Sequence, residues 1–224
     1  VSCALAGEPA STSTCAGTGL TLHIINAAGV SPGLVSAATA ETSAIWERTG
    51  VRLTWIFSPP PSPRADRTLL VILGRGPQLP KASGERGKNR LTDSLGWVDF
   101  SADDRPGDVI HVWFDTIAAL ARRGTALNLR VGDLPDDAQE PLLARAIGRV
   151  LAHELGHWIG GRRHTAGGLM SATFRERELL DWWSPRLPRE WTTAAFVTPF
   201  RVSPECASAV ALASSSPALA PAPR

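Results

Sequence analysis

Three of the five histidines in this 224-residue chain fall within one short stretch, at positions 153, 157 and 164. His153 and His157 are four residues apart, a spacing that on a helix puts both imidazoles on one face, one turn apart, where both can reach a single cation. Glu154 stands about 100° round the helix from His153, next to the position that a water bound to such a cation would take. Zinc lowers the pKa of bound water from about 15.7 to about 7, and a neighbouring carboxylate can then take its proton and release a nucleophile toward a polarised carbonyl. The pattern therefore predicts metal-assisted hydrolysis, with Glu154 as the general base.

A catalytic zinc takes three protein ligands and keeps a fourth position open. His164 is the third candidate, because Gly160-Gly161 ends the helix in a conformation that glycine adopts readily and lets the chain fold back toward the metal. Glu176 and Glu178, about twenty residues past His157, are the rival third ligands. Their surroundings, Phe174-Arg175-Glu176-Arg177-Glu178, read as a solvated helix face, and His164 is preferred.

The helix that must carry this site opens at Pro135-Asp136-Asp137, with acids at its positive end. Leu143, Ile147, Val150, Leu151 and Trp158 recur at helical spacing, and Arg145 and Arg149 fall on the other side. Glu154 lies on the apolar arc. A buried carboxylate is costly without a partner, and a metal-bound water beside two histidines would compensate it.

Upstream, Leu20–Asn26 reads as a strand, and Ser31-Pro32 starts a helix running to about Arg48. Val51–Phe57 alternates like a half-buried strand, so a parallel strand-helix-strand unit is expected. Four prolines within Ser58–Pro63 make a connection, and Leu69–Leu73 reads as a buried central strand. Residues 74–94, rich in Gly, Pro and basic side chains, read as an exposed loop. Leu95–Phe100 and Asp108–Phe114 are two further strands, Thr116–Arg123 a short helix, and residues 172–183 a helix packed through Trp182, Trp183 and Trp191. His111 and Asp115 are read as structural rather than as ligands.

With these residues in place, the 153–164 segment resembles the metzincin zinc-protease motif H-E-x-x-H-x-x-G-x-x-H with a downstream Met-turn. His153, Glu154, His157 and Gly160 match in position. The third motif histidine is here Arg163, which stays protonated and cannot ligate; the imidazole comes one residue later, at His164, so the double glycine must accommodate an extra loop residue. The run His164-Thr165-Ala166-Gly167-Gly168-Leu169-Met170 is similar to, though shorter than, the His-Ser then Leu-Met run of matrixin-type metzincins, and makes Met170 the Met-turn residue beneath the metal. Uncharacterised bacterial metalloprotease-like proteins with a His-Glu-Leu-Gly-His segment and a displaced third histidine are similar as well. The resemblance covers roughly residues 20 to 190 and is motif-specific only over 150–170.

The resemblance implies an α+β, zincin/metzincin-like fold, with a mixed, mostly parallel sheet, an active-site helix and a small C-terminal lobe. It also implies Zn²⁺ held by His153, His157 and His164, and a peptide or protein substrate added as a strand along 95–100. The chain has no tyrosine, so the tyrosine that some subfamilies place near zinc has no counterpart. Arg162 and Arg163, flanking the third ligand, would favour acidic or carboxylate-bearing substrates. Two rivals stand beside this zinc-dependent peptidase: a non-catalytic zinc-binding or interaction domain derived from a protease fold, and a zinc-dependent RNA hydrolase, whose three-histidine motif carries glycine where this chain has Glu154.

Composition sets the frame. With 43% apolar and 20% charged residues the chain can bury one core, and a net charge of +2 with scattered arginines gives no path for nucleic acid. No run reaches the roughly 18 apolar residues of a membrane span. Residues 1–17 read as a disordered leader or signal remnant, 18–200 as the catalytic domain and 201–224 as a disordered Ala/Ser/Pro tail. Val1–Gly7 is similar to the end of a secretory signal, cleaved after Ala6 or lipid-anchored at Cys3, so a secreted or cell-envelope monomer is expected. Cys15 and Cys206 would then be free to pair.

Overall fold

The computed structural model describes residues 19–59, 68–76, 94–126 and 128–181. The leader, the three cysteines, most of the basic loop, Trp182, Trp183, Trp191 and the Ala/Ser/Pro tail lie outside the described residues, as do the ends of the proline-rich connection and of the 172–183 helix.

Strand β1 (Gly19–Asn26) leads through Ser31 into helix α1 (Pro32–Glu47). The Ser31 hydroxyl accepts the Leu34 amide at 3.0 Å, and Pro32 sits at the first helical position, where its missing N–H costs nothing. The chain returns as β2 (Arg52–Ile56), parallel to β1, then as β3 (Thr68–Gly74), parallel to β1 on its other side. β4 (Gly96–Phe100) and β5 (Pro106–Trp113) follow, β5 parallel to β3 and β4 antiparallel to β5. The sheet order is β2-β1-β3-β5-β4, mixed and mostly parallel, with β4 at one edge.

Period-two alternation decides what faces inward. Leu20, Leu22, Ile24, Leu69, Val71, Leu73, Ile110, Val112 and Val98 are buried on one face of the sheet. The register stacks them, with Leu22 beside Leu69, Ile24 beside Val71, Val71 beside Ile110 and Leu73 beside Val112. On the opposite face Leu70 and Ile72 are half-buried, so the central strand read as fully buried is covered completely on one face only among the described residues.

After β5 come α2 (Phe114–Arg123), a two-residue hairpin of β6 (Thr125–Ala126) and β7 (Leu129–Arg130), a single 3₁₀ turn (Val131–Asp133), and the long helix α3 (Asp136–Gly160). α1 and α3 lie side by side on the inward face, where Val35 and Ala38 meet Ile147 and Leu151 over Ile24, Val71, Leu73 and Val112. Polar groups fix the crossing. The Thr42 hydroxyl lies 3.0 Å from the Gly148 carbonyl, and the Trp46 indole N–H donates to Ala152 O at 3.3 Å, one residue before His153. The last described element is α4 (Glu176–Leu180).

Two expectations need correction. The helix expected over 172–183 is, among the described residues, the five residues of α4, because Ser171–Phe174 instead line a cleft beside α3. Arg149, expected on the polar side of α3, is 2% exposed. α3 packs against α1 and the sheet on one side and against α4 on another, so it has little solvent face at that point. The Arg149 guanidinium is satisfied by the carbonyls of Glu178 and Asp181 and by Glu41 at 3.4 Å.

Candidate metal centre

α3 carries His153, Glu154 and His157 near its C-terminal end, and all three are buried, at 7%, 6% and 8% exposure. The helix stops at Gly161, whose φ of +83° lies in the region that only glycine adopts without strain. The Gly161 amide donates to His157 O at 2.8 Å, and the chain then doubles back so that the exposed ring of His164 faces the two buried ones. One extra residue relative to the expected spacing is taken up in this turn.

Each ring on α3 is oriented by its second nitrogen. His153 Nδ1 lies 2.6 Å from Leu169 O, and His157 Nδ1 lies 3.0 Å from Gly161 O. A carbonyl can only accept, so both Nδ1 atoms carry the proton and both Nε2 atoms present a lone pair. His157 Nε2 nevertheless lies 3.0 Å from His153 Nε2 and 3.1 Å from His164 Nε2. Two lone pairs at that separation repel unless something electrophilic lies between them. Three nitrogens at about 2.0–2.1 Å from one tetrahedral zinc are about 3.3 Å apart, so the donor set fits that ion. The residues that fit are His153, His157 and His164, whose ligand atoms all lie within 4.8 Å of one another.

Electrostatics point the same way. Burial pushes the His153 imidazole down to about 4, against the opposing pull of the Leu169 carbonyl, and lowers His157 as well. Both rings are thus held neutral, the form that ligates. Burial raises the Glu154 carboxyl to about 8. A cation beside it acts in the opposite sense and restores the carboxylate.

These groups open onto a cleft of about 810 Å³. Its floor is α3, one wall is β4 and α2, and the other is Ser171–Phe174, with the Phe174 ring edge-on to His153 at 5.2 Å. Met170 is 1% exposed, and its carbonyl accepts the Thr165 amide at 2.8 Å, closing the 165–171 loop. The orienting contact to His153 comes from its neighbour Leu169.

The other candidates fall elsewhere. Glu176 faces Arg123 at 3.7 Å, and Glu178 accepts the Arg175 amide at 2.7 Å; neither joins the histidine group. His111 stacks on Trp113, and Asp115 pairs with Arg75 at 3.6 Å. Arg162 lines the cleft, but its Nε lies 2.8 Å from Asp104 and its guanidinium covers the Phe100 ring at 4.6 Å, while Arg163 is exposed and off the cleft. Sequence reasoning missed Gly96, Phe174, the Leu169 carbonyl and Arg123. Only Gly96 left a signal, since a glycine within a strand marks a close approach.

No family model and no curated protein matches this chain. Among solved structures, the crystal structure of archaemetzincin from Methanopyrus kandleri at 1.5 Å resolution is similar to it, with 17% identity and a TM-score of 0.44, covering 81% of this chain and 94% of that one. An overlap of this size adds nothing to the geometry of the residues themselves.

Proposed function

We propose that this chain is a zinc-dependent peptidase of metzincin type, in which His153, His157 and His164 hold the metal through Nε2 and Glu154 is the general base. The observation that carries the reading is the convergence of three imidazole Nε2 atoms, two of them left with a free lone pair by carbonyls behind the ring, in a cleft that also holds a buried carboxyl. Zinc, when bound, supplies positive charge that acidifies water and polarises a carbonyl oxygen. Glu154 takes the proton of the attacking water at its carboxylate and returns it to the leaving amine. Leu169 O and Gly161 O keep the two helix imidazoles in one tautomer, which raises their basicity as ligands. The edge of β4 that has no strand partner among the described residues lies along the cleft beside Glu154, and an extended peptide added there as a further strand would bring its backbone past the carboxyl. A peptide or protein is therefore the proposed substrate, acted on by a monomer. Export, with a Cys15–Cys206 bridge or a lipid at Cys3, belongs to the same reading and rests on the composition of the two ends and the cysteines alone.

The test is hydrolysis of unstructured peptides by zinc-loaded protein, with products identified by mass spectrometry. Cleavage that disappears with chelator and returns with zinc is the expected result. Stoichiometric zinc without any cleavage would favour a non-catalytic zinc-binding domain.

A further inference from the structure

Past the imidazoles the cleft continues along α2. Thr116, Ala119, Leu120 and Arg123 line it, at the i, i+3, i+4, i+7 spacing of a single helix stripe. Ile117, Ala118 and Ala121 on the same helix are buried in the core, so the stripe is the face α2 leaves to the cleft. Thr116 comes three residues after the end of β5, whose Val112 pairs with Gly96 beside Glu154. Seven residues of helix rise about 10 Å, which puts Arg123 at the end of this wall away from Glu154. Phe174, edge-on to His153 at 5.2 Å, lines the same cleft.

Among the described residues, apart from the histidines and Glu154, the charged side chains lining the cleft are Arg162 and Arg123. Arg162 is held by Asp104 and Phe100. Arg123 has, among the described residues, a single ion pair, Nε to Glu176 Oε1 at 3.7 Å, with side chains 60% and 40% exposed. That distance is too long for a hydrogen bond, and exposed pairs of this kind hold weakly. Glu176 does not line the cleft, so the charge presented to a substrate is the guanidinium. Its planar donor fork matches a carboxylate, and the apolar Ala119, Leu120 and Phe174 would shield such a pair from water.

Resting on the peptidase reading above, we infer that Arg123 determines specificity: the subsite between α2 and Phe174 takes a substrate side chain that carries a carboxylate.

The test has two arms using the same peptides, blocked at both termini and differing at single positions among Glu, Asp, Gln, Leu and Lys. In the first, fluorescence anisotropy measures binding to zinc-loaded Glu154→Gln protein, which holds substrate without turnover. At one position the acidic peptide should bind about tenfold more tightly than its Gln counterpart, the gain typical of a charge-assisted hydrogen bond. The preference should vanish in Glu154→Gln/Arg123→Ala, persist in part with Arg123→Lys, and invert toward Lys with Arg123→Glu. Thermal midpoint and zinc content check that each variant is folded, and Arg123→Lys carries the comparison where Arg123→Ala is not. Equal binding of acidic and Gln peptides, no binding at all, or a preference untouched by Arg123→Ala would overturn the inference. The second arm measures cleavage by the unmodified protein. Acid-selective binding without cleavage removes the peptidase reading and keeps Arg123, whereas cleavage without acid preference keeps the reading and removes Arg123.

Discussion

Gly96 on the edge strand lies directly against the carboxyl of Glu154: a Cβ at position 96 would stand 2.6 Å from Cγ and 2.7 Å from Oε1. No real Cβ sits that close, so any side chain there must push the carboxyl away or lift the strand. Gly96→Ala is expected to cost about 1–3 kcal/mol of stability, as overpacking does. It should cut hydrolysis by about 10²-fold, the effect of misplacing a reacting group by about an ångström. Zinc content should not change, because none of the three imidazoles is touched. Kinetics and metal analysis on the same sample check this. Hydrolysis at the parent rate in a folded Gly96→Ala protein would show that the position of Glu154 does not matter.

Glu154→Gln keeps the shape and removes the base. Because Gln cannot take a proton from water, hydrolysis should fall by at least about 10²-fold while zinc binds at the parent stoichiometry. The fall should appear in kcat, with KM little changed, since the peptide backbone along β4 and the subsite walls are untouched. A variant that loses zinc instead would make Glu154 part of the metal's support and not the base.

Much of this site is legible in the chain because it is local. The His153–His157 spacing, the helix-ending glycines and the late His164 all lie within one turn-and-return of backbone, where periodicity and the left-handed preference of glycine decide the geometry. The strand-helix-strand start is legible for the same reason, Ser31-Pro32 and the alternation of β2 being local signals. What stays hidden is what arrives from far along the chain. Arg149 looks like a surface residue by its spacing, and only the return of α4 buries it. Arg123 looks like an ordinary helix-end cation, and its place in the cleft depends on how α2 lies against α3 and Phe174. The 172–174 segment has helix-compatible residues, but its place along the histidine cleft overrides that propensity.

His164 separates metal binding from folding. Its ring is exposed, so His164→Ala should change the stability of the metal-free protein by no more than about 0.5 kcal/mol. Zinc at about a hundred times its dissociation constant stabilises the parent by about 2.7 kcal/mol, and removing one of three ligands should remove most of that gain. Thermal unfolding with zinc and with chelator, for the parent, His164→Ala and Glu176→Gln, reads the difference. Only the histidine variant should lose the zinc-induced shift. A shift lost in Glu176→Gln and kept in His164→Ala would make the carboxylate the third ligand.

Arg149, one turn before His153, ties the segment after the metal loop to the helix. Its guanidinium donates to the carbonyls of Glu178 and Asp181 and meets Glu41 of α1, so one side chain holds α1, α3 and the end of α4 together. Replacing it with Met keeps most of the volume but leaves two buried-side carbonyls and a carboxylate without their donor, and removing one partner of a buried pair costs about 3–5 kcal/mol. Arg149→Lys keeps the charge but not the fork, since an ammonium cannot reach three acceptors in the same geometry, and should lose an intermediate amount. Urea denaturation of the metal-free proteins gives the order parent, Arg149→Lys, Arg149→Met. If instead Arg149→Met matched the parent, the apolar contacts of Leu179 and Leu180, both buried, and the Arg145 hydrogen bond to Leu180 O at 3.1 Å would be enough to hold α4.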